Sequence, residues 1–256
     1  MKHARIRHFW ELLWGMTEKE LRARYKNTVF GFLWLMANPL LQMLIIGFVF
    51  PLFVKQPISN YNYYLFSGLL AWNFFSVSLA KATPSMVHER TLIKKSFFPR
   101  AVIPLSIIFS DAINYIAALV VFLIPLLSLH TLTQWSLPLF IAGLLMLLSF
   151  TAGLSLFTCA LNVRYRDINF FVQAALIIWF YATPIVYSLS QIPKDLLWIW
   201  RFNPLTSIIQ LMQYALVGTA PPGPLMIACN VAIILIISIV GIWTFQKESK
   251  NFDDWL

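Results

Sequence analysis

Residues 101–129 read AVIPLSIIFSDAINYIAALVVFLIPLLSL, an apolar run with Asp111 as its one charged side chain. At 1.5 Å rise per residue such a run covers the ~30 Å of a bilayer's hydrocarbon core, for which about 20 residues suffice. Working outward, comparable stretches occur near 29–53, 63–80, 137–163, 168–187 and 225–245. The pattern predicts an all-α membrane protein with six transmembrane helices. Composition agrees: the 256 residues are 59% hydrophobic and only 11% charged, too few polar groups to cover a water-soluble domain.

Sixteen of the 19 Lys and Arg residues fall in the connectors on one side of these stretches. They are Lys2 to Lys26, Lys81 to Arg100, Arg164 with Arg166, and Lys247 with Lys250; the other side holds Lys55, Lys194 and Arg201. Positive charge marks the cytoplasmic face, so both termini are expected there, in a multi-pass protein of the bacterial inner membrane. Scattered membrane-flanking charge explains the formal +9 better than nucleic acid does. The first apolar run is about twice the length of a signal peptide's core and carries Asn38-Pro39 within it, so a retained helix is expected. Cys159 and Cys229 sit inside apolar stretches without metal or redox spacing and read as packing residues.

Ahead of the first span, Ile6, Phe9, Trp10, Leu13, Trp14, Thr17 and Leu21 recur at helical spacing, with Arg7, His8, Glu11, Glu18, Lys19 and Arg22 on the opposite arc. This predicts an amphipathic helix on the cytoplasmic leaflet, on a soluble partner, or on both. The expected divisions are therefore 1–28 for this interfacial helix, 29–245 for the membrane domain and 246–256 for a cytoplasmic tail. Between the last two spans, in 188–224, Ile192 to Trp200 and Leu205 to Val217 are apolar but too short to cross, and Pro193, Pro204 and Pro221-Pro222 punctuate them. Re-entrant helices and an amphipathic cap on the outer leaflet both fit. The cytoplasmic connector 81–100 holds a short helix near Pro84 to Leu92 that would protrude toward a partner; Lys94, Lys95 and Arg100 read as topology charges.

No catalytic constellation emerges. The phosphate loop G-x-x-x-x-G-K-[ST] is missing, His88-Glu89 lacks a second histidine at zinc spacing, and His3, His8, His88 and His130 are dispersed. Asp111 invites an ion-relay reading, because a carboxylate in hydrocarbon is costly; a structural pair with Asn114, three residues on, is the competing one. Ser149 and Gly153, four apart, would let two helices approach closely, and Pro39, Pro104, Pro125 and Pro184 would bend theirs. Aromatic residues are abundant, with 22 Phe, 10 Trp and 9 Tyr. Trp34, Trp72, Phe74, Phe75, Phe170, Phe171, Trp179, Phe180 and Tyr181 are candidates to line a passage for sugars, whose C–H groups pack on ring faces. Lipid-facing belts account for aromatics equally well.

Arg24-Tyr25-Lys26-Asn27-Thr28, Gly31, Leu33-Trp34 and Asn38-Pro39-Leu40 resemble the opening signature of ABC-2 type permeases that export polysaccharides and teichoic acids. The likeness continues through Leu65-Phe66-Ser67-Gly68-Leu69, Trp72-Asn73-Phe74-Phe75, Leu92-Ile93-Lys94-Lys95, Phe98-Pro99-Arg100 and Pro104-Leu105. It then runs on through Asn162 to Asp167, Thr183-Pro184-Ile185-Val186-Tyr187 and Asn203-Pro204-Leu205-Thr206. The subgroup it most resembles is the O-antigen exporter permeases; teichoic acid and capsule exporters are the nearest alternatives, and an ion-coupled carrier a remoter one. The resemblance implies a homodimer bound to two copies of a cytoplasmic ABC ATPase, which holds the ATP and Mg²⁺, so this chain is not itself an enzyme. It implies a lipid-linked polysaccharide as cargo, carried on undecaprenyl diphosphate, and no nucleic acid. It maps ATPase coupling to Val87, His88, Glu89, Arg90 and Thr91, although His88 to Thr91 depart from the small polar residues common in relatives. For the diphosphate, Arg22, Arg24, Lys26, Arg100, Arg164 and Arg166 are the available cations; Trp34, Trp72, Phe74, Phe75, Trp179, Phe180 and Tyr181 are the aromatic channel candidates.

Overall fold

The computed structural model describes residues 2–26, 33–53, 58, 60–95, 98–127 and 136–255. The expected first-span residues 29–32, the third-span end 128–129, and Asn27, Thr28, Gly31, Lys55 and His130 lie outside the described residues.

Most of those residues are helical, with no strand among them. The order is α1 (Lys2–Tyr25), α2 (Leu33–Phe53), α3 (Tyr61–Ala82), α4 (Ser85–His88), α5 (Arg90–Lys95), α6 (Val102–Leu127), α7 (Ser136–Arg164), α8 (Asp167–Tyr181), α9 (Leu197–Arg201), α10 (Pro204–Val217), α11 (Pro224–Glu248) and α12 (Phe252–Trp255). Among the described residues, α3, α6, α7 and α11 are long and apolar enough to cross a bilayer. Of these, α3 is the least apolar and the most buried, while α11 is the most apolar and the least buried. A water-soluble bundle sorts the other way. Putting the most apolar helix outermost makes sense only when the surrounding solvent is hydrocarbon, so the chain is a multi-pass membrane protein.

The bundle is assembled around α3, whose residues from Tyr64 to Trp72 are all buried and which packs on α2, α6, α7, α8 and α10. Its rings lock the interior: Phe66 lies 4.7 Å from Phe122 of α6, and Phe75 stacks on Phe150 of α7 at 5.4 Å. A second, smaller core at the basic end joins Met86 of α4, Ile103 of α6, Cys159 and Val163 of α7, and Phe245 and Phe252 of the C-terminal segment. The amphipathic stretch forms α1 as expected, and it buries Leu13 and Thr17 against α6 while Ile6, Trp10 and Trp14 stay exposed.

Two expectations change in detail. The helix of the fifth stretch stops at Tyr181 after 15 residues, short of 187, so Pro184 sits in the following turn and bends no helix. Proline has no N–H to continue the ladder and forces the preceding residue out of helical geometry. The freed backbone groups are satisfied by side chains: the Tyr64 hydroxyl donates to Pro184 O at 3.2 Å and Tyr187 O at 3.0 Å, Tyr61 to Val186 O at 2.8 Å, and Asn203 Nδ2 to Ala182 O at 3.1 Å. Likewise Pro104 occupies the first turn of α6, where its missing N–H has no helical partner to lose.

Helices α7 and α11 approach each other backbone to backbone. A Cβ built on Gly241 would lie 2.0 Å from Gly153 O, and one on Gly153 would lie 2.5 Å from Ser238 Cα. Ser238 Oγ completes the seam by donating to Ser149 O at 3.1 Å. Ser149 and Gly153 thus serve a contact within the subunit. We expect Gly241→Val to separate the two helices and cost more than the ~1–3 kcal/mol of ordinary overpacking, seen as a lower thermal transition of the detergent-purified protein; Gly15→Ala, on the open face of α1, should not lower the transition, since alanine is the better helix former there.

Candidate functional site

Two helical stripes face each other near the basic end. Leu70, Asn73, Phe74 and Val77 on α3 follow i, i+3, i+4, i+7, and so do Asp111, Asn114, Tyr115 and Ala118 on α6. Between them, closed by Arg24 from α1 and by Trp34 and Asn38 from α2, lies a cavity of about 150 Å³.

Asp111 organises its rim. The carboxylate is 4% exposed, sits more than two turns inside α6, and accepts from the Arg24 guanidinium; Ser78 Oγ donates to its other oxygen at 3.2 Å, and Lys81 Nζ lies 3.8 Å away. A charge at that depth is tolerated only when paired and hydrogen-bonded. One residue on, the Tyr25 hydroxyl donates to Asn114 Oδ1 at 2.9 Å. Burial pushes the Tyr25 phenol above its usual range, so it stays protonated and able to donate. Asp111 and Asn114 do share a helix face, but each bonds to the end of α1 and not to the other. Asn114 Nδ2 has no hydrogen-bond partner among the described residues, and Asn73 Nδ2 is held by Gln42 Oε1 at 3.1 Å and Leu69 O at 2.9 Å. The cavity therefore offers the Arg24–Asp111 ion pair, amide groups and the Trp34 ring, a set that can hydrogen-bond hydroxyl groups and pack on a sugar face.

The structure gathers only some of the candidates here. Of the six cations, Arg24 reaches the cavity. Arg22 turns back to Glu18 on its own helix, Arg100 bonds Ser249 O, Arg164 lies over Tyr165 and Trp255 at 5.1 and 5.4 Å, and Lys26 and Arg166 are exposed. Of the seven rings, Trp34 and Phe74 line the cavity. Phe75 and Trp179 meet at 5.4 Å and Trp72 and Phe180 at 5.5 Å inside the bundle, while Tyr181 faces outward with Phe170 and Phe171. Val87 and His88 lie in the short helix α4, Arg90 and Thr91 in α5, and Glu89 in the turn between them, at the same end as the cavity. Glu89 is paired with Lys19 of α1 at 2.6 Å. Sequence reasoning passed over Ser78 and Lys81 as neighbours of Asp111, and over Asn73 as a lining group. The matched spacing of polar residues on α3 and α6 was the signal that could have found them.

The chain belongs to the ABC-2 type transporter family, whose model matches residues 11–217. Two proteins of Klebsiella pneumoniae described as O-antigen export system permease protein RfbA are similar to it, at 33% identity over 255 residues and 36% over 258, each alignment covering 97% of this chain and 96% of the relative. A protein of the same description from Myxococcus xanthus is 31% identical over 241 residues, covering 93% of both chains.

Replacing Asp111 tests the rim. Asp111→Asn leaves Arg24 and Lys81 facing each other without the carboxylate, and we expect a loss of about 2 kcal/mol, the low side for a broken buried pair because Arg24 is 23% exposed. Arg24→Lys keeps the charge but not the planar fork, and should cost less. Thermal melting in detergent reads both.

Proposed function

We propose that this chain is the membrane subunit of an ATP-driven exporter that moves an undecaprenyl-diphosphate-linked polysaccharide of the O-antigen kind from the cytoplasm to the periplasm. The observation that carries the reading is the extent of similarity to O-antigen export permeases, which runs through the interfacial helix, the connector and every apolar stretch and covers 93 to 97% of the chain. The cavity supports it. The Arg24 guanidinium, if it exchanges the Asp111 carboxylate for a phosphate, would with the amides and indole beside it suit a diphosphate joined to a sugar, and its place at the basic end is where cargo made in the cytoplasm would load.

In this reading six helices span the inner membrane, α2 and α8 among them, with both termini cytoplasmic and α9 and α10 forming a re-entrant pair at the outer end. The exposed apolar faces of α2 (Leu44, Ile45, Phe48, Leu52) and α8 (Phe170, Phe171, Ile178, Tyr181) supply the surface for a second copy of the chain. Two copies of a cytoplasmic ATPase bind ATP and Mg²⁺ and dock on α4 and α5. The Lys19–Glu89 pair ties that docking connector to α1, and α1 reaches the cavity five residues later through Arg24. Nucleotide-driven motion of the connector thereby carries the rim of the loading cavity with it.

Co-purification with the ATPase tests the docking assignment. Glu89→Arg should reduce the ATPase retained by the membrane subunit several-fold while insertion stays intact; unchanged retention contradicts the assignment. Adding Lys19→Glu restores an internal pair of reversed sign. Recovery of binding in the double variant means Glu89 acts by positioning the connector, and continued loss means it touches the ATPase directly.

A further inference from the structure

The end of the bundle opposite the basic connectors holds two adjoining cavities, of about 360 and 670 Å³, which share Ser188, Ser190, Gln210 and Ala220 in their walls. Both volumes fall within the ~300–1,000 Å³ typical of small-molecule sites. The smaller is lined by Tyr64, the two serines, Gln210, Gln213 and the Val217–Gly218 turn that ends α10. Among the described residues no charged side chain lines it, and Arg201 is the one charged residue lining the larger.

Its polar groups are built in and incompletely used. Gln213 is 0% exposed. Its Nε2 donates to Tyr64 O at 3.3 Å, which fixes the amide's orientation because a carbonyl can only accept. Gly68 makes the room: a Cβ there would come within 2.8 Å of that nitrogen. The remaining amide atom, Gln213 Oε1, has no hydrogen-bond partner among the described residues, and neither does the buried Oε1 of Gln210, one turn earlier on the same wall. Two buried acceptors without donors in a membrane protein are each costly, by ~1–3 kcal/mol. Water or a ligand must supply the donors.

We propose that these cavities form an outer saccharide subsite, in which Gln210 and Gln213 accept hydrogen bonds from the hydroxyl groups of a neutral sugar. Both open groups are acceptors, so the ligand donates. Among the described residues the smaller cavity is lined by no cation, which would favour phosphate, and by no carboxylate, which would favour an ammonium group. Val217 and the Tyr64 ring give the apolar surface that the C–H face of a pyranose needs, and Trp198 and Phe202 continue it into the larger cavity. The inference rests on the export reading for the source of the sugar, and it gives the two ends of the subunit different chemistry: an Arg24–Asp111 ion pair at the loading end, neutral hydrogen-bond acceptors where glycan leaves.

Cys229 lines the larger cavity and is partly exposed, whereas Cys159, the other cysteine, is fully buried. Maleimide labelling of Cys229 in the purified full-length permease therefore reports occupancy without mutation. The probes are delipidated O-antigen oligosaccharide from the source cells and maltotetraose. We expect the oligosaccharide to slow labelling, and Gln210→Ala or Gln213→Met to raise the concentration required roughly fivefold or more, the effect of losing one hydrogen bond; Gln210→Ala serves if Gln213→Met misfolds. Labelling that neither saccharide slows, or protection that both glutamine variants leave unchanged, overturns the subsite. The assay needs neither ATPase nor transport, so loss of binding with export intact refutes this inference alone, and protection without ATP-driven export refutes the export reading alone.

Discussion

One buried carboxylate constrains the arrangement of this subunit. Asp111 lies well inside α6, where an unpaired charge would be expelled or neutralised, and the only way to keep it is to bring cations to it. Arg24 arrives from the amphipathic helix α1 and Lys81 from the end of α3. The pairing fixes how deep α1 sits, which face it turns to α6, and how α3 and α6 are registered. The same register aligns the stripes on α3 and α6 that wall the cavity. Tyr25 bonding Asn114 one turn further in repeats the constraint with a neutral pair.

The rest of the bundle follows from its solvent. With hydrocarbon outside, apolar contact gives little net drive for association, and close packing and internal hydrogen bonds take over. That explains the backbone-to-backbone seam of Gly153 and Gly241, the aromatic lock around Phe75, and the central position of α3, the least apolar of the four candidate spans. It also explains why the irregular stretch after Tyr181 is wrapped by Tyr61, Tyr64 and Asn203: non-helical backbone survives in a membrane only where other side chains satisfy it.

The sequence made the membrane class legible, because hydropathy and the side preference of positive charge act locally and leave long, unmistakable runs. The bounds of α3, α6, α7 and α11 were readable within a few residues for the same reason. The early end of α8 was foreshadowed by Pro184 but not readable, since Thr183 and Asn203 decide it across 20 residues of chain. The site was legible only in part. Arg24 and Asp111 each stood out singly, yet their pairing spans 87 residues and no spacing rule relates them. Trp72, Phe75, Trp179 and Phe180 illustrate the opposite difficulty: a ring that packs in a core and one that lines a passage look alike in sequence. Gln210 and Gln213 carried no signal, because a glutamine in a short apolar helix is remarkable only once its amide is seen to lack a donor.

In the proposed reading, the cavity at the basic end is the place of loading, the acceptors at the opposite end are a path for glycan, and the connector clasped to α1 is the route by which a partner's energy enters. The most direct measurement is glycan translocation by the chain and its ATPase in sealed proteoliposomes, with nucleotide and an imposed proton gradient varied separately. Export that requires hydrolysable ATP and ignores the gradient is the predicted result; export driven by the gradient without nucleotide, or ATP hydrolysis by this chain alone, would contradict it.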